Sequence, residues 1–225
     1  MQKNTPRDLK TRAYVIRRTN YGEADRILNL ITPSGKISAI AKGVRKPKSK
    51  LAGAVEMFTL LDANLHFGKS DLAVMTGARM VRFYTEIVGN YERMEVASLM
   101  LKRINRVAEQ VDNPEFFEIL DKCLFNIDAG SAIDLTLTWF LMNLARAAGE
   151  QLNLYTDADG KKLEENEKYN WDNVEMVFGK DDNGSFDASK IKVMRLMISV
   201  DLTVVSKIKN VEGYIPEILK IAKTL

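Results

Sequence analysis

Two periodicities divide this chain. Up to about residue 85 the apolar positions tend to alternate in short runs, the period of strands that bury one face. Arg12 to Arg18 (RAYVIRR) is β-branched and aromatic, as strands prefer. Arg26 to Thr32 (RILNLIT) and Lys36 to Lys42 (KISAIAK) follow the turn residues Asn20-Tyr21-Gly22-Glu23 and Pro33-Ser34-Gly35. Met57 to Phe67 alternates most cleanly, with Met57, Thr59, Leu61, Ala63, Leu65 and Phe67 on one face and Asp62, Asn64 and His66 on the other. Gly68-Lys69-Ser70 turns the chain into Leu72 to Met75, and Arg79 to Tyr84 reads as a further strand. Five or so short strands in this length predict a small closed barrel, OB-type or, on pattern alone, nearly as well SH3-like.

From Glu86 the period lengthens. Val96, Leu99, Met100, Ile104, Val107 and Val111 recur at helical spacing, and Asp112-Asn113-Pro114 ends that helix and begins another. Phe116, Phe117, Leu120, Leu124 and Phe125 form the second apolar stripe; Ile133, Leu137, Phe140, Leu141 and Leu144 form a third, ending near Gly149. Residues 153–187 are polar and turn-rich, with Asp159-Gly160 and Asn183-Gly184 as hairpin signals around Tyr169 to Phe178. Ala188 to Val200 and Tyr214 to Leu225 read as two more helices. The fold class is α+β: a barrel domain over residues 1–85, then a helical-bundle domain over 86–225 with a polar β-hairpin insertion at about 153–187.

Charge separates the same two parts. Residues 1–85 hold 16 basic and 6 acidic side chains, a net +10; residues 86–225 hold 17 and 24, a net −7; together they make the whole chain's +3. The basic part is the candidate for a polyanion. Its densest stretch is Lys42-Gly43-Val44-Arg45-Lys46-Pro47-Lys48-Ser49-Lys50, with five cations in nine residues between two strand-like runs. Arg12, Arg17 and Arg18 add to it if they face the same side, and Tyr21, beside a turn glycine, is the aromatic best placed to stack on a base. Of the other rings in this part (Tyr14, Phe58, Phe67, Phe83 and Tyr84), most belong to the barrel core. A solvated loop that only keeps the protein soluble is the competing reading.

Enzyme signatures are scarce. The lone histidine, His66, lies on the polar side of a strand, and the lone cysteine, Cys123, within an apolar helical stripe. Asp157-Ala158-Asp159-Gly160 lacks the later ligands of a calcium loop, and Glu164-Glu165 and Asp181-Asp182 read as solvated pairs. No phosphate-cradling loop has the required glycine spacing. A non-enzymatic protein without metal or cofactor is expected. One cysteine, no membrane-length apolar run and no apolar leader at the N-terminus point to the cytoplasm.

Three blocks carry a family resemblance: Tyr21-Gly22-Glu23-Ala24-Asp25-Arg26-Ile27-Leu28, Thr32-Pro33-Ser34-Gly35-Lys36, and Ala41-Lys42-Gly43-Val44-Arg45-Lys46-Pro47-Lys48-Ser49-Lys50-Leu51. In order and spacing they resemble the N-terminal domain of the RecO recombination-mediator family, clearly over residues 10–85. Farther on the likeness thins to Arg146-Ala147-Ala148-Gly149 at the end of a central helix. The resemblance implies an OB-fold followed by a helical domain. It implies binding of single- and double-stranded DNA and annealing of strands coated by single-strand-binding protein. It also implies RecR as the partner in recombinase loading.

The DNA-binding residues it favours are Arg17, Arg18, Tyr21, Lys42, Arg45, Lys46, Lys48 and Lys50, with Arg45, Lys46 and Lys48 foremost, and Arg146 as a rim residue for a protein partner. Many relatives carry a four-cysteine zinc site in the insertion; residues 153–187 here have no cysteine. Strand pairing and Tyr169, Trp171, Val174, Met176 and Phe178 are expected to hold the hairpin instead. An OB-type RNA- or tRNA-binding protein and a protein-interaction adaptor are the alternatives.

Overall fold

The structure, a computed structural model, describes residues 7–150 and 152–225. Residues 1–6, read above as lacking a leader, lie outside the described residues. Strands β1 (Asp8–Tyr21), β2 (Asp25–Thr32), β3 (Gly35–Ala41), β4 (Thr59–His66) and β5 (Ala73–Phe83) close into a barrel in the order β1-β2-β3-β5-β4. All neighbours are antiparallel except β3 and β5, which run parallel at Ala39–Ala73 and Ile40–Val74. This is an OB-fold. Alternation builds its interior: Ala13 and Val15, Leu28 and Leu30, Ala39 and Ala41, Leu61, Ala63 and Leu65, Ala73 and Met75 all point inward.

The two strand runs expected at 72–75 and 79–84 are one strand. Register shifts opposite Asn64/Leu65 and Leu60/Leu61 mark extra residues in β5, and the break in alternation they cause reads in the sequence as a strand boundary.

The first compact unit ends at Gly130 and includes helices α1 (Thr85–Val88), α2 (Tyr91–Val107) and α3 (Glu115–Asp128). These helices cover outward-facing Tyr14, Ile16 and Ile31, each buried on the side of its strand away from the barrel interior. Tyr14 hydroxyl donates to Asp121 Oδ1 (2.5 Å) and accepts from Tyr84 hydroxyl (2.7 Å), because its one proton is already committed. Burial first, then the neighbouring Tyr84 and Asp121, hold the Tyr14 phenol far above its ordinary range. Asn90 caps α2 through Arg93 N–H, whereas Val111, expected in the stripe of that helix, lies beyond its end. Phe125, expected in the stripe of α3, is 49% exposed and covered by the Arg82 guanidinium at 4.9 Å.

The second unit starts at Ser131. Its centre is α4 (Ile133–Ala148), buried almost all round from Leu135 to Ala145, and flanked by α5 (Ala188–Ser199) and α7 (Val211–Ala222). A helix apolar on every face must be a core helix. Its one buried amide is satisfied: Asn143 Nδ2 donates to the carbonyls of Trp139 (2.9 Å) and Met197 (2.8 Å). Gly149, at φ 92°, closes α4 in the left-handed conformation that glycine permits. A short α6 (Leu202–Val205), not foreseen, follows α5.

Between α4 and α5 lies the insertion with β6 (Tyr169–Asp172) and β7 (Val177–Lys180). Asp159-Gly160 turns the chain between Thr156 and Lys162, which pair antiparallel, and Asn183-Gly184 lies in a turn closed by Gly184 N–H on the Asp181 carbonyl, but the β6–β7 turn belongs to neither. Asp172 makes that one, its carboxylate accepting from Val174 and Glu175 N–H while Met176 sits at φ 50°. Those two hydrogen bonds hold the Asp172 carboxyl below its ordinary range. Val174, expected to help hold the hairpin, is at the tip and 87% exposed. The packing comes from Phe178, whose ring meets Trp171 edge-on at 5.0 Å, Phe186 at 5.6 Å and Tyr169 at 6.2 Å.

Candidate nucleic-acid interface

The connection from β3 to β4 is residues 42–58, and its sequence makes it both anchored and cationic. Val44 (2% exposed) and Val55 (0%) are core residues of the barrel, with Leu51, Ala52 and Met57 packed against the same core. Gly43, at φ 63°, donates its N–H to Asp25 Oδ1 at 2.7 Å, and Arg45 N–H donates to the Ala24 carbonyl at 2.8 Å. Arg45 Nη1 reaches the Gly22 carbonyl at 3.3 Å. Two successive turns, Lys46 N–H to Gly43 and Ser49 N–H to Lys46, carry the chain on. A loop tied down this way loses less freedom on binding than a floppy one.

Lys42, Arg45, Lys46, Lys48 and Lys50 are all exposed, and none is ion-paired among the described residues. Tyr21, at the end of β1, is 54% exposed, and Arg45 is held on the next residue, Gly22. Among the other barrel rings Tyr14, Phe58 and Tyr84 are buried, Phe67 is half-buried and Phe83 is 37% exposed.

Arg17 and Arg18 face opposite sides of β1. Arg17, exposed, stands opposite Asn29 and points outward with it. Arg18 stands opposite Leu28, an inward residue, and at the barrel mouth its guanidinium is paired with Glu56. Arg26 Nη1 lies 3.5 Å from the other oxygen of the same carboxylate, so Glu56 clamps two arginines. Arg146 is exposed in the last turn of α4, where a cation complements the carbonyl end of the helix.

Asp25 and Glu56 escape sequence reading because their partners lie 18 and 38 residues away. Asp25→Ala frees Gly43 N–H and adds one positive charge. By loosening the loop at a cost of roughly 1 kcal/mol, it is expected to weaken the loop's hold on a polyanion about fivefold. Anisotropy of a labelled oligonucleotide checks this; tighter binding would mean that charge alone matters, not placement.

OB-folds commonly bind oligonucleotides on strands 2–3. Here that face is occupied. Asn29 Nδ2 donates to Asn105 Oδ1 of α2 at 2.8 Å, and Lys36 Nζ pairs with Glu109 at 3.5 Å. The cavity remaining beside β3, about 500 Å³, is lined by Ile37, Phe67 and Leu72 with Lys36, Asp71 and Asp112. With Lys36 already paired, its carboxylates repel phosphate.

Comparison with known proteins agrees with this architecture. The model for the N-terminal domain of recombination protein O matches residues 7–84, and that for its C-terminal domain matches 88–224. The DNA repair protein RecO of Dehalococcoides mccartyi strain CBDB1 is 35% identical over 162 residues, 71% of this chain and 64% of that protein. The DNA repair protein RecO of Roseiflexus sp. strain RS-1 is 35% identical over 147 residues, 65% of this chain and 52% of that protein. The chain thus spans between half and two thirds of the length of these curated relatives.

Proposed function

We propose that this chain, which belongs to the RecO recombination protein family, is a DNA-binding mediator of recombinational repair that brings complementary strands together. The observation that carries this reading is the anchored β3–β4 loop, whose five exposed cations have no carboxylate partner among the described residues, with an exposed Tyr21 next to the residue that holds Arg45. Cations held on an anchored loop neutralise phosphates of the strands that approach it and lower the repulsion that opposes pairing, while base pairing supplies sequence discrimination. Tyr21 offers a stacking platform to whichever base lies over it.

The substrates in this reading are single- and double-stranded DNA. The barrel over residues 1–85 holds them, and the helical part over 86–225 meets the protein partners: single-strand-binding protein and RecR. Arg146 is the rim residue for the acidic, apolar tail of single-strand-binding protein. Among the described residues no group of three or more His, Cys, Asp and Glu is arranged to hold a metal. Among the described residues, no helix is long and apolar enough to cross a membrane.

The test is annealing of complementary oligonucleotides coated with single-strand-binding protein. Faster duplex formation than without this protein is the expected result. Acceleration on bare strands alone would remove the partner assignment, and no acceleration on either would overturn the reading.

A further inference from the structure

Arg17 raises a question that the loop does not answer. It is exposed and without an ion pair among the described residues, yet its face of β1 leads away from the loop. Past the shift between Val15 and Arg17, the outward residues are Arg17, Thr19 and Tyr21. At ~3.3 Å per residue, Tyr21 beside the loop and Arg17 lie about 13 Å apart on one surface. In the other direction the same strand offers Lys10 and Arg12, but buried Tyr14 and Ile16 come between. Arg12 moreover stands opposite Asp62, which pairs with Arg79 at 2.5 Å.

What lies beyond Arg17 is α2. Arg17 is opposite Asn29 in register, and Asn29 is held by Asn105. One turn on, Glu109 pairs with Lys36, which is opposite Ile31. The helix packs on β1 and reaches β2 at Asn29 and β3 at Lys36 only with its last turn and the residues just past it, so it crosses the strands, and the turn before Asn105 lies toward β1, the strand that carries Arg17 and Tyr21. That turn carries Lys102, and Arg106 follows Asn105; both are exposed and neither is ion-paired among the described residues. Strand neighbours are ~5 Å apart and residues one helical turn apart ~5–6 Å, so Arg17, Lys102 and Arg106 fall on the order of 10 Å from one another. That is about one Debye length at physiological salt, close enough for one polyanion to feel them together.

The charges that limit the stretch are visible as well. Glu92 and Glu95 occupy the first turns of α2 and are exposed, and Glu109, which faces Lys36, lies just past its last turn. A phosphate chain following the helix axis would meet carboxylates at both ends. One that crosses the helix at Lys102 and Arg106 would not. The carboxylate-lined cavity beside β3 closes off the route to the far side.

We propose that the DNA path continues from the β3–β4 loop past Tyr21 and Arg17 and crosses α2, where Lys102 and Arg106 take further phosphates. This rests on the DNA-binding reading above and specifies it: the site accepts a strand longer than the loop alone contacts. The helix is part of the first compact unit, so these cations keep their place relative to the barrel.

The experiment compares the full chain with Lys102→Ala/Arg106→Ala, with Arg17→Ala, and with the charge-keeping Lys102→Arg/Arg106→Lys. Single-stranded oligonucleotides of about 8 and about 20 nucleotides, spanning OB-fold site sizes, are titrated over a range of salt. On the longer strand the double alanine variant is expected to lower the log–log salt slope by about 1.4, two contacts at ~0.7 each, and Arg17→Ala by about 0.7. The charge-keeping variant should hold the slope, and the short strand should lose little. Circular dichroism melting confirms that the variants are folded, as expected for exposed positions.

An unchanged slope on the longer strand overturns the proposal. So does an equal loss on the short strand, which would mean a general field and not a path. Replacing the loop cations in the same series separates the two readings. If that weakens binding and the helix variant does not, only the extension falls; if neither matters, the DNA-binding role of this unit falls with it.

Discussion

Replacing Arg45, Lys46, Lys48 and Lys50 together by alanine is expected to flatten the salt dependence of single-stranded DNA binding by about 3 in log–log slope. Each phosphate contact on a single strand releases ~0.7 counterion, so four contacts account for that change. Between ~1 M salt, where this contribution vanishes, and ~0.1 M, each is a factor of about 5, and affinity should fall several hundredfold at the lower salt. The fold should survive, because all four side chains are exposed while Val44, Val55 and the Gly43–Asp25 bond remain to hold the loop. Exposed substitutions of this sort usually change stability by no more than ~0.5 kcal/mol each. A salt titration by fluorescence anisotropy reads the result, and an unchanged slope would reduce the loop to a solvated connection.

Phe178→Ala should open the hairpin insertion at a cost of roughly 3–5 kcal/mol, the range for a large buried aromatic side chain. Phe178 is fully buried and is the ring shared by Tyr169, Trp171 and Phe186, so no neighbour can fill its place. Gly184→Ala should do similar damage by another route. A Cβ there would stand 2.5–2.6 Å from backbone atoms of Tyr169. That backbone cannot retreat: Tyr169 N–H and carbonyl are bonded reciprocally to Phe186, both at 2.9 Å, and β6 is paired with β7. Limited proteolysis should then cut within residues 153–187, while chelators leave the unsubstituted protein's melting temperature unchanged. A native cleavage pattern in both variants would show that this aromatic cluster is not what holds the insertion.

The sequence errors have local causes. Extra residues in β5 shifted the alternation and split one strand into two in the reading. The β6–β7 turn is made by Asp172 and a positive-φ Met176, which announces itself less plainly than the nearby Asn183-Gly184. Phe125 belongs to the helical stripe by spacing, yet it is left exposed with Arg82 across its ring, because period alone does not say where a neighbouring surface ends.

The five-cation loop between two barrel strands was legible because strand period, turn residues and charge density are properties of neighbouring residues. So were the longer helices of the second half, the lack of cysteine in the insertion and the basic character of the first part. Other features depend on residues far apart in the chain. Register sends Arg17 outward and Arg18 to Glu56. Asp25 pins Gly43 across 18 residues. Asn105 and Glu109 cover the β2–β3 face that an OB-fold would otherwise offer to a nucleic acid. A linear pattern shows how much charge a segment carries. Only strand register and helix packing decide which of those charges share a face, and hence which of them a single polyanion can meet.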